Sequence, residues 1–186
     1  MKKLVMVLAL VAIIATGTAF AEHPSGLGIG VVGTYGFAGD FGSGMGFGLS
    51  LKIPGVPIFW GVNGSFGSDH FGIGITGDKY MIDSKISGPL GWYFGLGGYF
   101  SFYSWTFEGY GFDYSYTWMY GGVRVPVGIS IQPIELLEIF IDVAPSLGIG
   151  YFSGWDYTIA GRKVESGSTI GFEFGIPLEI GLRLWF

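Results

Sequence analysis

Large apolar residues recur at every second position along most of this chain, most plainly at its end. From Ile170 the even positions read Ile170, Phe172, Phe174, Ile176, Leu178, Ile180, Leu182, Leu184 and Phe186. The odd positions carry Gly171, Glu173, Gly175, Pro177, Glu179, Gly181, Arg183 and Trp185. A period of two places these sets on opposite faces of one extended strand. A face so uniformly apolar has to meet either a protein core or lipid.

The same alternation divides the rest of the chain. Leu27, Ile29, Val31, Tyr35 and Phe37 alternate with glycines and Thr34, and the strand turns within 38–43. Met45, Phe47, Leu49, Leu51 and Ile53 form the second strand, which Pro54-Gly-Val-Pro57 ends because proline offers the ladder no donor. Ile58, Trp60, Val62 and Phe66 mark the third strand, and Gly67-Ser-Asp-His70 is short enough for a hairpin loop. The fourth is regular at Phe71, Ile73 and Ile75, then slips by one around Gly77-Asp-Lys-Tyr80, which predicts a bulge. Leu90, Trp92, Phe94, Leu96, Phe100 and Phe102 face away from Tyr93, Tyr99 and Tyr103 in the fifth. The sixth emerges at Trp118 and runs through Val123, Val125, Val127, Ile129 and Ile131; the seventh carries Leu137, Ile139, Ile141, Val143, Leu147, Ile149 and Tyr151.

With the closing stretch there are eight strands, each long enough for the roughly 9 to 11 tilted residues of a bilayer crossing. In lipid an open edge would leave backbone groups unpaired, so the sheet must close. The expected fold is all-β, a closed eight-stranded antiparallel up-and-down transmembrane β-barrel. Three connections on the side of the termini are tight (54–57, 83–89, 132–136), and the long ones (104–117 and 153–168) fall on the opposite side.

Composition fits apolar surface carried on strands: charged residues make up 12% of the chain, against about 25% in a soluble domain, and 36 of 186 residues are glycine. The start supplies the export route. Met1-Lys2-Lys3, the apolar run from Leu4 to Ile14 and the small-x-small site Ala19-Phe20-Ala21 read as a secretory signal. The expected organisation is a cleaved leader at 1–21 and a barrel at 22–186. Losing Lys2 and Lys3 with the leader deepens a net charge already at −5, which argues against nucleic acid as a partner. Without cysteine there is neither a disulfide framework nor a site for lipid attachment to the leader.

The strand layout and the ending Glu179, Gly181, Leu184, Phe186 resemble the small eight-stranded bacterial outer-membrane β-barrel family typified by the OmpA transmembrane domain, OmpX and OmpW. The four closing residues are similar to that family's C-terminal assembly signal. The resemblance implies residence in the bacterial outer membrane. It also implies contact with outer-membrane lipids and the barrel-assembly machinery, and external loops able to meet a ligand or host protein. The likeness to OmpW implies an alternative, a narrow channel for small or apolar solutes. Pro126, Pro145 and Pro177, inside three successive strands, depart from the family pattern and predict bulges.

Lys52, Arg124, Glu138, Asp142, Glu173, Glu179 and Arg183 all fall on the face turned from lipid. A uniform register for the last hairpin sets Glu138 opposite Arg183 and Asp142 opposite Glu179, with Arg124 near Asp142. Unpaired charge in an enclosed interior is costly, so these groups are expected to neutralise one another and fill the lumen. Inward glycines leave room for Tyr93, Tyr99, Phe140 and Trp185. The expected protein is structural, displays surface loops and catalyses nothing.

Gly28-x-Gly30-x-x-Gly33 has dinucleotide-site spacing but lies within a strand, so no cofactor is expected. His23 and His70 are too far apart in the chain to suggest a metal site. Ser68 with His70 loosely resembles, in reversed order, the Ser and His of outer-membrane lipid A deacylases, the remote alternative of a lipid-modifying enzyme. The aromatic stretch Trp105, Phe107, Tyr110, Phe112, Tyr114 and Tyr116 is either a contact tip for a partner or a prolongation of the fifth and sixth strands around a turn at 109–111.

Overall fold

The computed structural model describes residues 23–39, 45–109, 112–154, 156–159, 162–165 and 167–186. The leader expected at 1–21 lies outside them. Among the described residues the chain is all-β: β1 (Gly28–Gly39), β2 (Met45–Lys52), β3 (Phe59–Phe66), β4 (His70–Ser87), β5 (Leu90–Gly109), β6 (Phe112–Arg124), β7 (Val127–Ile134), β8 (Leu137–Val143), β9 (Ser146–Phe152), β10 (Asp156–Ile159), β11 (Arg162–Glu165) and β12 (Thr169–Trp185).

From β1 to β6 consecutive strands pair antiparallel, and β12 returns to β1 from Gly28↔Trp185 to Gly36↔Pro177, so the sheet closes. The last residue takes part in the seam: Leu27 N donates to Phe186 O at 2.9 Å, and Phe186 N to Leu27 O at 2.8 Å. β5 pairs with β6 above Gly97 and with β7 below Phe94, so β6 and β7 form one interrupted stave. β12 likewise pairs with β9 and then with β8, which form another. The closed wall thus has the eight staves that the alternation predicts, with β10 and β11 as an added hairpin whose β10 lies against β6.

The three prolines explain the interruptions. Pro126 and Pro145 sit in the breaks, and Pro177 sits where β12 changes partner from β9 to β8. Each lacks a donor, but each carbonyl still accepts: Gly95 N reaches Pro126 O at 2.8 Å, Val125 N reaches Pro145 O at 2.9 Å, and Ala144 N reaches Pro177 O at 2.9 Å. The wall stays sealed along this diagonal.

Several boundaries differ from the sequence reading. The fourth strand continues to Ser87, and its turn is only Gly88-Pro89, with Gly88 at φ 54° where a side chain would strain. The sixth stave begins at Phe112 and not at Trp118, because β5 and β6 pair as far as Gly109↔Phe112. The aromatic stretch is therefore a prolonged hairpin, and the segment 153–168 contains β10 and β11. The expected bulge lies one residue beyond the predicted slip: register shifts between Tyr80 and Ile82, and Tyr80 and Met81 are both buried.

Alternation decides the two faces. Phe172 is 83% exposed, Phe47 73%, Leu49 59% and Ile180 56%, all on the outer wall, while Tyr93, Glu138 and Arg183 are enclosed within. Tyr35, Phe66, Phe71 and Tyr151 lie outward at the rim far from the termini; Trp92 and Phe186 lie outward at the terminal end.

Candidate functional site

The lumen is filled from the terminal end upward. Tyr80 of β4 stacks between Phe59 of β3 and Tyr93 of β5, with ring centroids 4.0 and 4.3 Å apart. Arg183 of β12 lies against this stack, its guanidinium carbon 4.8 Å from the Phe59 ring and 4.1 Å from that of Phe140. The backbone makes room for the rings. A Cβ at Gly181 would stand 2.4 Å from Phe140, at Gly128 2.6 Å from Tyr93, at Gly148 2.5 Å from the Tyr99 hydroxyl and at Gly28 3.1 Å from Trp185. These are the four aromatic side chains for which the sequence reserved space.

Two ionic centres lie at successive depths. In the first, Arg183 Nη1 donates to Glu138 Oε1 and Oε2 at 3.1 and 3.0 Å, and Arg183 Nε donates to Ser50 Oγ at 2.7 Å. Trp185 Nε1 donates to Glu138 Oε2 at 2.9 Å. In the second, Arg124 holds Glu179 with two parallel bonds, Nη1 to Oε1 at 2.9 Å and Nη2 to Oε2 at 2.8 Å. Arg124 Nε stands 3.1 Å from Asp78 Oδ1 as an ion pair without hydrogen-bond alignment. Tyr93 donates to Asp142 Oδ2 at 2.6 Å.

The predicted register is the observed one: Glu138 faces Arg183, and Asp142 faces Glu179. Arg124 lies within electrostatic reach of Asp142, as expected, and its direct contacts are with Glu179 and Asp78, which its side chain reaches across the lumen. Lys52 is buried but joins neither centre; its Nζ donates to Ile53 O at 3.1 Å and lies 5.7 Å from the Phe59 ring. Glu173 is buried higher up, within electrostatic reach of Tyr99 and Tyr120. Among the residues of the assembly signal, Glu179 faces the lumen, Gly181 accommodates Phe140, and Leu184 and Phe186 face outward.

Three further participants were not assigned to the network by the alternation. Asp78 and Asp83 lie on either side of the Met81 bulge, and both are buried. His23, from the segment before β1, enters the terminal mouth: Nδ1 pairs with Asp83 Oδ2, and Nε2 lies 2.8 Å from Glu138 Oε1. His23 lies outside the strands. Burial opposes its charge, but hydrogen bonds to Asp83 and Glu138 and the charges of both outweigh it, pushing the ring up to about 9.

Toward the far rim the filling ends. A cavity of about 330 Å³ opens there, walled by Asn63, Thr76, Tyr99, Ser101 and Tyr120 and floored by the Arg124–Glu179 pair. At the rim, His70 Nε2 lies 3.0 Å from Ser65 Oγ, and His70 Nδ1 lies 3.0 Å from Asp69 Oδ1. The partner is Ser65 and not Ser68, because the hairpin folds the ring back over Gly67. Trp105 and Tyr116 stack at 6.3 Å, which makes them cross-strand partners in the prolonged hairpin. Tyr110 and the side chains of Phe107, Phe112 and Tyr114 lie outside the described residues.

A closed antiparallel wall, apolar outside and ion-paired within, has the architecture of a transmembrane β-barrel. No protein-family model and no curated protein matches the chain. Among solved structures it is similar to a major outer membrane protein from Thermus thermophilus, with 16% identity over 86% of this chain and 99% of that one, at a TM-score of 0.48. It is also similar to Neisserial surface protein A, with 17% identity over 86% and 96% of the two chains, at a TM-score of 0.40.

Proposed function

We propose that this protein is a non-conducting barrel of the bacterial outer membrane, with its termini on the periplasmic side and its long hairpins outside as a contact surface. The observation that carries this reading is the barrier across the lumen. Between the external cavity and the terminal mouth lie Phe59, Tyr80, Tyr93, Phe140 and Arg183, and the spaces beside them are water-sized, about 30 Å³ each. Such a barrier suits a structural and display role and opposes passage of a solute through the lumen. The external cavity and the aromatic hairpin of β5 and β6 are where an external ligand or host protein would meet the molecule. In planar bilayers the purified full chain should insert without producing a stable conductance. Steady single-channel steps would overturn the reading and favour a narrow solute channel.

A further inference from the structure

Among the described residues, the lumen holds a group that no stave supplies. His23 precedes β1, yet its side chain is only 7% exposed. Its ring is surrounded by those of Phe59, Tyr80, Tyr93 and Trp185, with centroids at 5.4, 5.4, 5.7 and 6.3 Å. Both ring nitrogens face carboxylate oxygens, of Asp83 and of Glu138. A neutral imidazole has one N–H and could satisfy only one of them, so the geometry calls for the imidazolium. The backbone N–H of His23 adds a bond to Asp83 Oδ2 at 3.0 Å.

The walls of this recess belong to five staves: Phe59 on β3, Tyr80 and Asp83 on β4, Tyr93 on β5, Glu138 on β8, and Trp185 with Arg183 on β12. Backbone pairing holds those staves whether or not His23 is present. The two carboxylates are placed differently. Glu138 is also held by Arg183 and Trp185, whereas among the described residues the hydrogen bonds to Asp83 come from His23. Withdrawing His23 would leave Asp83, 5% exposed, as a buried charge beside an aromatic wall.

We propose that this recess is a binding site for a small aromatic cation, and that His23 is the chain's own ligand for it, tethering the N-terminal segment across the barrel mouth. The site takes imidazolium, which matches it in ring size, charge and two opposed N–H donors. A water-sized space beside Asp83, Ser84, Lys85 and Gln132 lies at the mouth, on the way by which a free cation would enter. The proposal goes beyond the non-conducting reading and does not depend on it, since the site could bind whether or not the barrel conducts.

Chemical rescue tests it on the full chain in detergent at a pH of about 6, where free imidazole is cationic. His23→Ala should lower the thermal midpoint. Imidazole in the millimolar range should then restore at least half of the loss in a saturable way, while sodium chloride of equal ionic strength should not. The wild-type midpoint should not respond, because its site is filled. In His23→Ala/Asp83→Asn the rescue should vanish. If His23→Ala does not refold unaided, the same comparison is read as refolded yield with and without imidazole. Absence of an imidazole effect in His23→Ala, or an equal effect in the double variant, would overturn the proposal.

Discussion

Glu138, 1% exposed, takes Arg183, Trp185 and His23 on its two oxygens, so the loss of any one partner is felt by the others. Arg183→Ala would strand part of that charge and also remove the guanidinium packed against Phe59 and Phe140. Breaking a buried pair in this way costs about 3 to 5 kcal/mol. Arg162 opens β11 at the turn end of the added β10–β11 hairpin, apart from the eight staves of the closed wall. Chemical unfolding in detergent should therefore show a clear fall in midpoint for Arg183→Ala and almost none for Arg162→Ala. Equal midpoints would contradict an enclosed Arg183. Glu138→Gln should compensate only weakly for the loss of Arg183, because the same change weakens the hold on His23.

His23 also sets a pH dependence. Its folded value of about 9 lies above the ordinary 6.5, so its contribution to stability is complete below 6.5 and disappears as pH rises through 9. The difference corresponds to roughly 3 kcal/mol at most. Stability followed from pH 6 to 10 should fall within that window for the wild type, and the fall should be absent from His23→Gln. A wild-type profile flat across the window would argue against a charged ring between Asp83 and Glu138.

At the scale of the element, the last strand shows how a small residue on one stave sets the packing of the next. A Cβ at Gly181 would meet Phe140 at 2.4 Å and the Val31 carbonyl oxygen at 2.6 Å, and a backbone oxygen yields little. At Gly171, in the same strand, a Cβ would meet nothing within 4 Å. Gly181→Ala should therefore destabilise the barrel by about 1 to 3 kcal/mol through overpacking. Gly171→Ala should stay within about 0.5 kcal/mol. The midpoints of the two variants in detergent test this, and equal effects would mean that β12 is not pressed against Phe140. Proline acts on the same scale: three prolines, one on each of three neighbouring staves, divide the wall diagonally without opening it, because each carbonyl still accepts a bond.

For the whole molecule, closure produces two compartments with different chemistry. The terminal half is packed with stacked rings and ion pairs, while the half nearer the far rim keeps a cavity of about 330 Å³ lined by polar side chains such as Asn63, Thr76 and Ser101 and by apolar ones such as Met45, Phe47 and Ile73. The expected lack of conductance belongs to this scale, since it requires the whole cross-section to be filled at one depth. The same closure leaves the outer wall apolar: Leu49, Ile149 and Ile180 each remain more than half exposed to whatever surrounds the barrel. Exposed apolar surface on that scale marks a surface that meets lipid or a partner.

Alternation alone placed the charged side chains of the regular strands on the inner face. Period-two alternation assigns a face to each residue as long as the register holds, so Arg183, Glu138, Asp142 and Glu179 could be placed, and paired, from spacing alone. It also located the fourth-strand bulge to within a residue. It did not show that the bulge turns Asp83 into the lumen, because a bulge changes the facing of everything beyond it and its length is set by the neighbouring stave. The alternation set Arg124 near Asp142 but did not show its direct contacts with Glu179 and Asp78, because its reach crosses the lumen, a distance that only the closed cross-section defines. His23 lay furthest from view. It sits in no periodic segment, and its partner Glu138 is 115 residues away, so the two are joined only once β12 has paired with β1 and the mouth has a wall on every side.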